Sequence, residues 1–232
     1  MPLEGETSFE DKILKKISIN NKELDDFIII RSDGSPTYNF CAAVDDIEME
    51  ITTVIRGDDH ITNTLKQINI LNALEANTPE YAHLPMVLSP EGKRLSKRDG
   101  ALDINEYKKM GYLKEAMINY LIKLGWTYRE QEIFSEEELI KYFDIQNVNS
   151  SAAKFSQKLL DFYNNHYLKE TDINSLYAYI DKNFSLSDKF IQNPRKIEII
   201  DLLRVSSNNI IQIIDELTFF NDDPELTEEL LK

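Results

Sequence analysis

Ile51-Thr52-Thr53-Val54-Ile55-Arg56-Gly57-Asp58-Asp59-His60-Ile61 decides how the chain is read. Ile51 to Ile55 is β-branched throughout and is the strongest strand signal in the sequence, ended by Arg56-Gly57. Asp58 to Thr64 follows, and an amphipathic helix is predicted from about Leu65 to Glu75. A strand that ends in charged residues and feeds a helix is the arrangement of an α/β crevice, where ligands sit beyond the carboxyl ends of the strands. Arg56 stands at that lip, and its planar fork can hold a carboxylate with two hydrogen bonds. The same residues allow quieter roles: a structural ion pair for Arg56, and a helix N-cap for Thr62 or Asn63. His60 has no second histidine or cysteine at ligand spacing, which argues against a metal site.

Downstream, His83 to Leu88 is predicted to form a third short strand, and it runs into Ser89-Pro90-Glu91-Gly92-Lys93-Arg94-Leu95-Ser96-Lys97-Arg98-Asp99-Gly100. Pro90, Gly92 and Gly100 mark this segment as a loop. It carries four cations, Lys93, Arg94, Lys97 and Arg98, around Ser96. Such a loop can wrap a polyanion, with charge from the cations and neutral donors from Ser96 and the backbone amides. A solvated basic turn has the same composition.

Upstream, Phe27 to Ile30 reads as a continuous apolar strand buried on both faces. It stops at the turn Arg31-Ser32-Asp33-Gly34-Ser35-Pro36. Thr37 to Val44 is apolar and small enough for a buried helix or strand against a ligand. Within it, Tyr38 can fix a polar substrate through its hydroxyl, or serve as an ordinary core tyrosine.

The 232 residues suffice for one large domain or two small ones, and 42% hydrophobic residues allow a normal core. A formal net charge of -15 repels nucleic acid in bulk, so any RNA contact must use local basic patches. The one cysteine, Cys41, allows no internal disulfide and fits a reducing compartment. No apolar run approaches the roughly 20 residues of a bilayer span, and the acidic start lacks a signal peptide's features. The expectation is a soluble, cytoplasmic chain with no membrane partner. Every glycine lies at or before Gly125, so the first part is expected to be mixed α/β and the second helical. Ile104 to Gly111 and Leu113 to Gly125 read as a helix pair, and Ser135 as the N-cap of a helix with acids on its first turn. Leu160 to Tyr167 reads as helical, and amphipathic helices follow from Asp172.

Arg94-Leu95-Ser96-Lys97-Arg98 resembles the Lys-Met-Ser-Lys-Ser motif of class I aminoacyl-tRNA synthetases. It stands in an ordered array: Glu4-Gly5-Glu6-Thr7, Arg31 to Phe40, Val44-Asp45-Asp46, Val54 to Ile61, His83-Leu84-Pro85, and Gly111-Tyr112-Leu113 through Leu124-Gly125-Trp126. In that order and spacing the chain is similar to bacterial-type glutamyl-tRNA synthetases, to about Glu170 and more weakly beyond.

The resemblance implies the second half of a Rossmann-type nucleotide-binding fold followed by an all-α region. Residues 1–32 would end an inserted acceptor-binding domain, and 33–92 would form the second half of the catalytic domain. Residues 93–170 would carry the phosphate loop and a stem-contact helical region, and 171–232 would start a helical anticodon-binding region. The implied reaction joins glutamate to tRNA(Glu) through a glutamyl-adenylate, with ATP as substrate and Mg2+ beside it. Lys97 matches the lysine that steadies the departing pyrophosphate, with Arg94, Leu95, Ser96 and Arg98 in the same ATP loop. Asp59 and His60 match positions beside the ATP, and Met86 and Val87 match a segment whose backbone meets the adenine edge. Tyr38 matches the family's substrate tyrosine, and Arg56 its arginine for one of the two glutamate carboxylates.

Four positions depart from the family pattern: Arg94 for lysine, Asp99 for a frequent histidine, Asp58 for glutamate, and Ala42 for an asparagine found in some members. A His-x-Gly-His pattern is absent from the sequence. The expectation is therefore an internal piece of a longer, monomeric enzyme, inactive alone and paired with a missing N-terminal half. The rival expectation is a truncated non-catalytic paralogue or a split-gene subunit that binds tRNA or ATP.

Overall fold

The computed structural model describes residues 1–95 and 103–221, which fall into two compact units. The first comprises 1–94 with 125–129 and 142–154; the second comprises the rest.

The first unit is built on a four-stranded sheet of β1 (Glu6–Asp11), β2 (Lys15–Asn20), β3 (Thr53–Gly57) and β4 (Glu80–Leu84), in the order β2-β1-β4-β3. β1 and β2 form an antiparallel hairpin, while β4 runs parallel to both β1 and β3. Two helices lie between β2 and β4 in the chain: α1 (Tyr38–Glu48) and α2 (Ile61–Ala73). β3, α2 and β4 thus make a βαβ unit, the parallel crossover expected of a doubly wound fold. The core gathers Phe9, Leu24, Leu65, Ile68 and Tyr81, with Ala43, Ile70 and Leu71 beside it.

β3 begins two residues later than predicted. Ile51 and Thr52 are spent elsewhere: the Ile51 amide donates to the Asp46 carbonyl at the end of α1, and the Thr52 carbonyl accepts from Glu80. Arg56 therefore lies within the strand, paired with His83 on β4. Strand alternation then puts Arg56 and Val54 on one face and the exposed Thr53 and Ile55 on the other. α2 starts at Ile61, so Thr62 and Asn63 lie in its first turn and neither is an N-cap.

Phe27 to Ile30 is not a buried strand. Ile28, Ile29 and Ile30 are exposed, and the segment's only pairing is an isolated bridge from Ile30 to Pro36. Its carbonyls are taken by the start of α1: Thr37 donates from its amide to Ile29 and from Oγ1 to Ile28. An apolar run followed by a turn that folds straight back has no neighbouring strand to bury it. The predicted His83–Leu88 strand also divides. β4 ends at Leu84, and β5 (Val87–Leu88) instead pairs in parallel with β6 (Ala153–Lys154).

The second unit is helical: α3 (Ile104–Lys109), α4 (Lys114–Gly125), α5 (Glu136–Tyr142), α6 (Gln157–Glu170), α7 (Ile173–Asn183), α8 (Asp188–Ile191), α9 (Lys196–Leu203) and α10 (Ile210–Asn221). α4, α6, α7, α9 and α10 share one apolar core that includes Tyr120, Leu160, Tyr163, Ile180, Ile200 and Ile213. Ser135 caps α5 reciprocally: its Oγ accepts from the Glu138 amide, and Glu138 Oε2 accepts from the Ser135 amide. Gly111 has φ +82, and a Cβ there would lie 2.7 Å from the Ile210 nitrogen, so glycine alone fits. Among the described residues no helix is long and apolar enough to cross a membrane.

Candidate active-site crevice

Arg56 reaches the carboxyl end of β3 on the face covered by α2. Its Nη2 donates to Thr64 Oγ1 and, at 2.8 Å, to Gln67 Oε1. Its Nε faces Nε2 of His83 at 3.4 Å, and its guanidinium carbon lies 5.7 Å from the Tyr81 ring centroid. Every one of these partners is neutral or aromatic. Among the described residues Arg56 makes no ion pair; its structural bonds are these hydrogen bonds to α2 and β4. Its hydrogen bonds go to neutral acceptors, and the carboxylate it acts on, Asp46, lies beyond ion-pair distance. Arg56 also acts on its surroundings. Burial pushes the Asp46 carboxyl up and Arg56 pulls it back; the same two effects bring the Tyr81 hydroxyl up to about 12.

Gly57 and a 3-10 turn, Asp58–His60, follow Arg56. A Cβ on Gly57 would lie 2.6 Å from Asp59 Oδ1, so the glycine leaves room for the Asp59 carboxylate to fold back over the strand end; Met86 Sδ is at an ordinary contact distance of 3.5 Å. The Asp59 carboxylate accepts from Arg94 Nη2 at 2.9 Å. Arg94 is positioned by a tight turn: Ser89 donates to the Lys93 carbonyl, Gly92 donates to Ser89, and Leu88 bridges to Arg94. Tyr38 opens α1, is 57% exposed, and turns its ring toward His60 at 6.3 Å between centroids. His60 Nδ1 is 3.2 Å from the Asn63 amide nitrogen.

The structure thus gathers Tyr38, Arg56, Asp59, His60, Met86 and Arg94 around the ends of β3 and β4. Val87 is in β5, and Leu95 is half-buried. Ser96, Lys97 and Arg98 lie outside the described residues. Sequence reading missed the groups that hold Arg56, namely Thr64, Gln67 and His83, and Asp11, which is bonded to His83. Thr64 and Gln67 did leave a signal, as two polar residues at helical spacing among the buried positions Leu65, Ile68 and Leu71 of α2. Among the described residues no group of three His, Cys, Asp or Glu side chains could hold a metal ion.

Sheet and crossover define an α/β fold of the doubly wound kind, with an arginine that makes no ion pair among the described residues near the end of a parallel strand. The family described as tRNA synthetases class I (E and Q), catalytic domain, matches residues 1–162. The chain belongs to that family. It is 44% identical to a glutamate–tRNA ligase of Francisella tularensis subsp. novicida over 100% of its own length and 50% of the relative's. It is 46% identical to one of Nitrosospira multiformis, covering 99% of this chain and 50% of that one. A crystal structure of a glutamate tRNA ligase from Elizabethkingia meningosepticum, in complex with its amino acid, superposes with a TM-score of 0.82 at 33% identity, covering 99% of this chain and 50% of that one. The chain therefore spans about half the length of the relatives it matches.

Proposed function

We propose that this chain supplies the carboxylate-binding and phosphate-binding part of a glutamate–tRNA ligase site. The reaction is ATP-dependent attachment of glutamate to tRNA(Glu). The observation that carries the reading is Arg56, held at the strand end by hydrogen bonds to Thr64, Gln67 and His83, with no ion pair among the described residues.

In this reading Arg56 binds one carboxylate of L-glutamate, and Tyr38 closes the substrate side of the crevice. The other glutamate carboxylate attacks the α-phosphorus of ATP, a mixed anhydride forms, and pyrophosphate leaves. A tRNA hydroxyl then attacks the anhydride carbonyl and displaces AMP. No side chain acts as a nucleophile, so the protein works by positioning and by stabilising charge. Lys97, with Ser96, Arg98 and Arg94, stabilises charge on the departing pyrophosphate. Leu95 continues this loop, Asp59 and His60 flank the nucleotide, and the Met86–Val87 backbone meets the adenine edge. Mg2+ arrives with the ATP phosphates.

The test is a chimera in which this chain replaces the aligned segment of the Francisella ligase. Glutamylation of tRNA(Glu) supports the reading; a folded chimera that binds ATP and tRNA without turnover favours a non-catalytic binding module. In an active chimera, Lys97→Ala slows ATP–pyrophosphate exchange, measured with tRNA present, more than it raises KM for glutamate. Exchange unchanged by that substitution contradicts the role of Lys97.

A further inference from the structure

We propose that Asp11 and His83 are positioning residues for Arg56: the carboxylate fixes the imidazole, and the imidazole fixes the guanidinium. The inference rests on the reading of Arg56 as the residue that binds the substrate carboxylate.

Asp11 ends β1 and His83 lies on β4, and both side chains are fully buried. The Asp11 carboxylate accepts from the amides of Ile13, Leu14 and His83, and its Oδ2 lies 2.6 Å from His83 Nδ1. Burial alone would push this carboxyl up. Hydrogen bonds from the Leu14 amide, the His83 ring and the Ile13 and His83 amides outweigh that effect and hold it below the usual carboxylate value. An ionised Asp11 only accepts, so His83 Nδ1 carries a proton.

The opposite ring nitrogen faces Arg56 Nε at 3.4 Å and Thr64 Oγ1 at 2.8 Å. Arginine only donates. A proton on Nε2 would meet the Arg56 N–H donor to donor, so the hydrogen-bond pattern assigns the neutral Nδ1–H tautomer. Thr64 completes the clamp: its oxygen accepts from Arg56 Nη2, and its single hydroxyl proton is shared between the His60 carbonyl at 3.2 Å and His83 Nε2 at 2.8 Å. Gln67 is set the right way round because its amide nitrogen donates to Asn39 Oδ1 at 3.2 Å, which turns Oε1 toward Arg56.

This relay answers a design problem. A carboxylate placed directly against Arg56 would fix it but also neutralise it. With His83 interposed, a buried anion orients the arginine through a neutral ring and leaves the guanidinium charge for a ligand. Among the described residues Nη1 makes no hydrogen bond, so one edge of the guanidinium is unclaimed.

The test is nitrogen-15 NMR of this chain within the chimera with the Francisella ligase, where the rest of the site is supplied. In the wild type, His83 shows an unprotonated Nε2, the Arg56 Nε–H is protected from exchange, and its resonance shifts when L-glutamate is added. Asp11→Asn keeps an acceptor for Ile13 and Leu14 but offers His83 an amide N–H. The ring then switches to Nε2–H, and Arg56 Nε–H exchanges about tenfold faster, the order of factor a lost charged hydrogen bond gives. His83→Gln and His83→Leu provide a second comparison, with protection kept by the glutamine carbonyl and lost with leucine. A protonated Nε2 in the wild type, or equal Arg56 protection in Asp11→Asn, His83→Leu and the wild type, overturns the relay. A wild-type Arg56 that is protected yet indifferent to L-glutamate overturns the ligand reading and supports the relay as a purely local device.

Discussion

His83 Nδ1 lies 2.6 Å from Oδ2 of Asp11, 72 residues away in sequence, with both side chains excluded from solvent. The contact ties β1 to β4 and places a carboxylate in the sheet, separated from Arg56 by the His83 ring. Asp11→Ala leaves the His83 ring N–H and the amides of Ile13, Leu14 and His83 without their acceptor, so it is expected to cost at least about 3 kcal/mol in urea unfolding at neutral pH, at roughly 1–3 kcal/mol per buried donor. Asp11→Asn, which keeps some of the acceptors, should cost less.

The same carboxylate gives a pH signature. Its native value is held below that of the unfolded chain, so its contribution is fully present above the unfolded value of about 3.9. That contribution is lost as pH falls below about 4 through the lower native value. Denaturant midpoints measured downward from neutral pH should fall more steeply for the wild type than for Asp11→Asn in this range.

Gly92 and Gly111 share a left-handed φ, +84 and +82, but differ in their surroundings. Nothing lies within 4 Å of a Cβ built on Gly92, whereas one on Gly111 meets the backbone of Ile210. Asparagine tolerates the dihedral at both positions. Gly92→Asn is therefore expected to cost under about 1 kcal/mol, and Gly111→Asn about 2 kcal/mol or more, in thermal unfolding. Equal costs would contradict the close approach of Gly111 to α10.

Arg94 and Asp59 form an ion pair at 2.9 Å, with the arginine side chain 62% exposed. Exposed pairs contribute about 0–1 kcal/mol, so Arg94→Ala should leave the melting temperature nearly unchanged. If the loop binds phosphate, the same variant raises KM for ATP in the active chimera. A large loss of stability would assign the pair a structural role instead.

How much of this was legible follows from particular residues. Ile51 to Ile61 announced the β3–α2 crevice because β-branched residues, a charged turn and an amphipathic helix each carry a local signal. The β1–β2 hairpin carried almost none: its inward set on β1 is Thr7, Phe9 and Asp11, so two of three buried positions are polar. Ile28 to Ile30 misled in the opposite sense, being apolar yet open to solvent, while Phe27 alone packs on the Ala43, Ile70 and Leu71 cluster. The site divides in the same way. Arg56, Asp59 and His60 are neighbours in sequence, while the groups bonded to Arg56 come from α2 and β4 and meet only in the fold.

The most direct test of the account is Arg56→Ala in the chimera, read as separate KM values for L-glutamate and ATP in tRNA-dependent pyrophosphate exchange. Losing charged hydrogen bonds to a carboxylate should raise KM for glutamate roughly 10- to 150-fold and leave KM for ATP within about twofold. An unchanged KM for glutamate, or a rise confined to ATP, would contradict the assignment of Arg56 to the amino-acid carboxylate.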